Sequence, residues 1–205
     1  MDAAVIAKPR DRILATARDL FRKHGLRGVG VDAIVEAADT NKMTLYRHFG
    51  SKDELVVACL QQIAAEASAV WDRLAADHPD DAMAQLRTWL RQGANCGGAD
   101  GRGCSLANAA IELTETDHPA RQFIAGFKRE QRDRLAKLCR DAGVVAAETL
   151  ADTLSLMVEG ARVSRQTMGS DGLSSKFVAS GEAVIASFVS AQNKPADAKA
   201  KARSH

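Results

Sequence analysis

Aromatic residues make up 4% of the 205-residue chain and proline occurs four times. A chain rich in Ala and Leu with so few ring and breaker residues favours helices over sheets. No run of eighteen apolar residues occurs, so no transmembrane helix is expected. The opening Met1-Asp2-Ala3-Ala4-Val5-Ile6-Ala7-Lys8 lacks the charged start and long apolar stretch of a secretory signal, which makes the cytoplasm the expected location. Cys59, Cys96, Cys104 and Cys139 are widely spaced with no CxxC pair, so neither a structural zinc site nor a secreted disulfide framework is expected. Histidines stand at 24, 48, 78, 118 and 205 without an HExxH motif or a carboxylate four residues away. No metal, cofactor or catalytic base is therefore expected, and an enzyme is not the first reading.

A net charge of +2 does not announce nucleic-acid binding. The informative feature is Val31 to Leu55, VDAIVEAADTNKMTLYRHFGSKDEL, which reads as two short helices joined by a tight turn and followed by a capped third. Val31, Ile34 and Val35 have the i, i+3, i+4 spacing of a buried helix face over about Val31 to Ala38. Asp39 tolerates the turn's backbone. A second helix runs from about Asn41 to Phe49, with Leu45 and Phe49 inward. Ser51 and Glu54 have the spacing of a capping box. That outline is a helix-turn-helix, whose outward side chains reach base edges and phosphates. The expected DNA-binding set is Lys8, Arg10, Thr40, Asn41, Lys42, Thr44, Tyr46, Arg47, His48 and Lys52.

The residues Thr44-Leu45-Tyr46-Arg47-His48-Phe49 and Gly50-Ser51-Lys52-Asp53-Glu54-Leu55 resemble the signature of the TetR family of bacterial transcriptional regulators. Ile13 through Gly25 is similar to that family's first helix. Gly103 to Ala110 and Asp117 to Arg121 resemble one branch of its regulatory domains. Three positions depart from the pattern: Val29 replaces the usual threonine, Gly30 follows it, and Asp39 replaces the turn glycine.

The chain is expected to be all-α, with a helix-turn-helix domain over 1–55, a helical ligand-binding and dimerisation domain over 56–192 and a basic tail over 193–205 too poor in apolar residues to fold alone. Helices are expected at about Arg10 to His24, from Ser51 to near His78, and at Ala82 to Gly93. Four more are expected at Cys104 to Thr114, Pro119 to Ala142, Ala146 to Met168 and Ser174 to Gln192. The Gly-rich stretch from Gly93 to Gly103 reads as a connector that no helix tolerates. It lacks a Gly-Lys-Ser/Thr ending, so a phosphate loop is not expected.

In the last two helices, Leu154, Val158, Phe177, Gly181, Val184, Ile185 and Phe188 form apolar stripes. On pattern alone they are either cover for the core or a dimer seam, and the resemblance implies a four-helix seam. It also implies a pocket for a small apolar or amphipathic effector, with Trp71, Trp89, Cys104, Asn108, Phe123, Phe127, Met157, Arg162 and Gln166 as candidate lining. Glu112 is a further polar group near these apolar positions. Cys96 and Cys104, flanking the Gly-rich stretch, raise the question of a redox switch. The resulting expectation is a homodimeric regulator that binds a partly palindromic operator and is released by a small molecule. The alternatives are an effector-free architectural DNA-binding protein and a small helical enzyme.

Overall fold

The computed structural model describes residues 8–95 and 102–192. Among them the chain is all-helical, with no strand and no helix long and apolar enough to cross a membrane. The order is α1 (Pro9–His24), α2 (Val31–Ala37), α3 (Lys42–Phe49), α4 (Lys52–Asp77), α5 (Ala82–Asn95), α6 (Ser105–Glu112), α7 (Pro119–Asp141), α8 (Ala147–Met168) and α9 (Phe177–Gln192), the last preceded by a one-turn 3-10 helix at Leu173–Lys176.

Two compact units emerge, and they do not coincide with the expected cut after Leu55. One contains residues 1–70 and 102–128, the other residues 71–101 and 129–205. In the first unit, α1, α2 and α3 bury Ile13, Phe21, Ile34, Leu45 and Phe49 in the same core as Leu55 and Leu60 of α4, Leu106 of α6 and Ile124 of α7. The helix-turn-helix therefore shares its core with segments that lie far along the chain. The expected tail 193–205, residues 1–7 and most of the Gly-rich stretch, including Cys96, lie outside the described residues.

The second unit is built on Leu86 and Leu90 of α5, Leu135 and Cys139 of α7, Leu150, Leu154 and Val158 of α8, and Phe177 and Ile185 of α9. Two glycines are required by close approach. A Cβ on Gly181 would fall 2.4 Å from Leu90 Cδ1, and one on Gly93 would lie 3.2 Å from Val158 and 3.3 Å from Phe177. Gly93 is thus inside α5 rather than a terminator, because its missing side chain admits those neighbours.

Within one chain, this packing already buries most of the expected seam residues. Leu154, Val158, Phe177, Gly181 and Ile185 are buried within one chain against α5 and each other, while Val184 and Phe188 are half-buried. The stripe is mainly intramolecular core. The outward faces carry different residues: Leu156 (75% exposed), Gly160 and Val163 on α8, and Ala179, Ala183 and Ala186 on α9. Replacing Ile185, which is 1% exposed, by Ala is expected to cost about 2–5 kcal/mol in chemical denaturation. An Ile185→Ala loss below about 1 kcal/mol would show that the site is not tight core.

Candidate nucleic-acid interface

Helix α3 has eight residues, too few to persist alone in water, so its direction is set by packing. Leu45 and Phe49 are buried on one side, and the Arg10 guanidinium lies 5.2 Å from the Phe49 ring centroid. Asn41 is the N-cap: its Oδ1 accepts the Thr44 N–H at 2.9 Å. Ser51 caps α4 similarly, with Oγ accepting the Glu54 N–H at 3.0 Å.

The turn between α2 and α3 holds Asp39 at φ 47°, a conformation that L residues other than Asn and Asp seldom take. Arg12 Nη2 donates to the Asp39 carbonyl at 3.0 Å and pins that turn to α1. Val29, where the family's pattern has threonine, is 2% exposed and fills the core. Gly30 is the extended N-cap of α2 with no side-chain cap.

The solvent side of α3 presents Lys42, Met43, Tyr46 and Arg47 as exposed residues, with Thr44 and His48 half-buried beside them. His48 meets Phe49 edge-on at 6.4 Å. Lys42 Nζ lies 2.7 Å from Asp32 Oδ1 of α2, a hydrogen-bonded ion pair that raises the lysine pKa. Lys8 is exposed at the N-cap of α1, and Thr40 is half-buried in the turn.

Several expected DNA contacts thus have structural duties. Lys52 is the clearest case, since its Nζ donates to the Leu26 carbonyl at 2.8 Å and lies 6.0 Å from the Phe21 ring centroid, turned toward the α1–α2 loop. Asn41 has its carbonyl oxygen committed to the cap, and Arg10 lies over Phe49. Met43 was absent from the expected set, yet it is 79% exposed on the reader helix. Apolar patterning could not have singled it out, because a methionine there looks like filler.

The α1–α2 loop is held from α6. Glu112 Oε2 accepts the backbone N–H of Leu26 at 2.6 Å and of Arg27 at 3.3 Å, and a Cβ on Gly25 would fall 2.7 Å from the same oxygen. Gly25 has φ 75°, so glycine is needed there twice over. Arg121 donates to the Leu113 carbonyl at 2.6 Å, and His118 Nε2 lies 3.6 Å from Asp53 Oδ1.

The expected pocket residues divide between the units. Cys104, Asn108, Phe123 and Phe127 belong to the first, and Trp71, Trp89, Met157, Arg162 and Gln166 to the second. Asn108 Nδ2 donates to the Arg102 carbonyl at 2.7 Å, which makes it a loop tie, and Glu112 is engaged as described. Phe127 is buried and stacks on Phe123 with centroids 6.5 Å apart. Arg162 pairs with Glu159 at 2.8 Å, and Gln166 is exposed. Trp71 and Trp89 stack 6.5 Å apart. Cys104 is the N-cap residue of α6, with Lys128 Nζ 3.9 Å from its sulfur. Burial pushes the Cys59 thiol up to about 12 and Cys139 up to about 11, which keeps both protonated and unreactive. Among the described residues no cluster of His, Cys, Asp and Glu is arranged to hold a metal.

The model of the family described as "Bacterial regulatory proteins, tetR family" matches residues 13–59, the segment that forms α1 to the start of α4. A TetR-family transcriptional regulator from Streptomyces coelicolor has a similar structure, with a TM-score of 0.82 and 26% identity over 88% of this chain and 95% of that one. Residues 13–59 thus match the tetR-family model, and the fold over most of the chain is that of a TetR-family regulator. Among curated relatives, the HTH-type transcriptional repressor NicS of Pseudomonas putida is 32% identical over 85 residues, 40% of each chain. The HTH-type transcriptional regulator TcmR of Streptomyces glaucescens is 26% identical over 134 residues, 65% of this chain and 59% of its own. The chain thus spans less than two thirds of the length of these curated relatives. The family member CifR, as a cysteine mutant complexed with 26-base-pair operator DNA, shares the fold at a TM-score of 0.70 and 22% identity, over 89% of this chain and 98% of that one.

Because Lys52 ties the α1–α2 loop from within, Lys52→Met is expected to cost about 1 kcal/mol of stability in urea unfolding. An unchanged midpoint would return Lys52 to the set of cations free for DNA.

Proposed function

We propose that this protein is a homodimeric, sequence-specific transcriptional regulator that binds a partly palindromic DNA operator and is released by a small-molecule effector. The observation that carries the DNA half is the outward row of α3: Lys42, Met43, Tyr46 and Arg47 stand exposed on a helix whose other side is locked into a core. Support comes from the family's helix-turn-helix and from relatives named as transcriptional regulators. In this reading Arg47 and Lys42 neutralise phosphates, Tyr46 braces the helix on the backbone, and Thr44 with Met43 faces base edges. A thymine methyl is the natural partner of the exposed methionine. Lys42 exchanges Asp32 for a phosphate on binding.

Two reader helices must enter major grooves on one face of the duplex, which demands a spacing of about 34–36 Å or a multiple. A dimer supplies the second reader. The seam is assigned to the outward faces of α8 and α9, where Leu156, Gly160 and Val163 fall at i, i+4, i+7, and Ala179, Ala183 and Ala186 repeat that spacing. An effector that binds better to a wrongly spaced dimer lowers operator affinity by that difference in affinity. No membrane or cofactor enters this scheme.

Arg47→Ala is expected to reduce the slope of log affinity against log salt by about 1, while Met43→Ala lowers affinity with the slope unchanged. Replacing operator thymines by uracil should weaken the wild type and leave Met43→Ala insensitive. Wild-type binding indifferent both to Arg47→Ala and to the uracil exchange would refute this use of α3. For assembly, the double variant Leu156→Glu, Val163→Glu is expected to sediment as a folded monomer with little operator affinity, whereas a persistent dimer would place the seam elsewhere.

A further inference from the structure

Trp71 and Trp89 are the two tryptophans of the chain, and they stack in the second unit with ring planes 24° apart. Trp71 Nε1 donates to Gln131 Oε1 at 2.7 Å. An indole nitrogen can only donate, so the Gln131 atom facing it must be the amide oxygen. That fixes the opposite edge of the carboxamide as the NH2 group. Gln131 Nε2 is buried from solvent and has no hydrogen-bond partner among the described residues.

A buried donor left unmade costs more than a made hydrogen bond gains, so such a group needs a reason. Its neighbourhood supplies one. Both indoles are half-buried rather than sealed. Flat apolar walls with one oriented polar group are what a small-molecule site requires. The unsatisfied edge of Gln131 is its NH2 group, so what is offered to a ligand there can donate and cannot accept.

We propose that Trp71, Trp89 and Gln131 form a recognition site for a flat, apolar molecule bearing a neutral carbonyl oxygen, whose ring lies against the indoles and whose oxygen accepts from Gln131 Nε2. This rests on the effector half of the proposed function and names the ligand's chemistry.

The test uses two probes of similar shape, acetophenone and ethylbenzene, added to the full-length 15N-labelled protein. The two indole N–H signals report the site directly. Acetophenone is expected to move both indole signals and the Gln131 side-chain amide signal, and to bind roughly five- to thirtyfold more tightly than ethylbenzene. Gln131→Glu keeps an acceptor for Trp71 and removes the donor. It should abolish the ketone's advantage while ethylbenzene affinity stays within about twofold. Gln131→Met, which removes both roles, should also equalise the probes. Equal affinity in the wild type, a ketone preference that survives both variants, or indole signals that stay still would each overturn the site and leave a trapped water as the amide's partner. Operator affinity measured with saturating ketone separates the two levels of inference. Tight ketone binding without loss of DNA affinity would reject the effector reading and uphold the ligand site.

Discussion

The direction of an eight-residue helix is the constraint on which the nucleic-acid face depends. Helix α3 cannot hold itself in water, and its cap at Asn41 satisfies one of its free N–H groups. Burial of Leu45 and Phe49 supplies the remainder of its order and fixes which residues face outward. The turn before it carries Asp39 at positive φ, and Arg12 holds that carbonyl from α1. Three cations near the reader, Arg10, Arg12 and Lys52, are thereby spent on ring, turn and loop contacts. In the proposed reading, a domain with so little net positive charge relies on the placement of Arg47, and of Lys42 once a phosphate replaces Asp32, rather than on a broad basic field.

The reader is also not an independent three-helix unit. Leu55, Val56 and Leu60 of α4 and Leu106 and Leu113 from the α6 region belong to its core. Glu112 satisfies two backbone N–H groups of the α1–α2 loop. Removing that carboxylate would leave those donors without their protein acceptor and free the loop that sets where α2 begins. A cut after Leu55 follows the recognisable motif, whereas the physical unit follows the burial of apolar surface, and the two differ because α6 returns to α1 across about eighty residues of chain.

Much of this was legible in the sequence, and the parts that were not share a cause. Helix ends marked by local chemistry, such as Ser51 and Gly25, were readable because capping and turn conformations involve neighbours in the chain. The inward positions Ile34, Leu45 and Phe49 were readable because a 3.6-residue period separates two faces. The duties of Lys52, Asn108 and Glu112 were hidden because each partner lies far away or on the backbone, which has no sequence signature. Gly93 shows the same limit: a glycine that looks like a helix breaker is tolerated inside α5 because Val158 and Phe177 occupy the space of its absent side chain.

The two faces of α8 and α9 make the point most sharply. Hydrophobic periodicity identifies the side of a helix that avoids water, and it does not say whether the partner is the same chain or another. Here the strongest stripe, with Leu154, Phe177 and Ile185, is consumed inside one chain, where large side chains fill volume between helices. The outward faces are small-residue-rich, with a few large apolar groups such as Leu156 and Val163 left exposed. A face of alanine and glycine adds little to a hydrophobic pattern, yet it lets two backbones approach closely, and close approach is what gives a few exposed leucines and valines enough contact area to matter. In the proposed dimer, stability and assembly fall on opposite sides of the same two helices. A change on one side would then unfold the chain, and a change on the other would separate two intact copies.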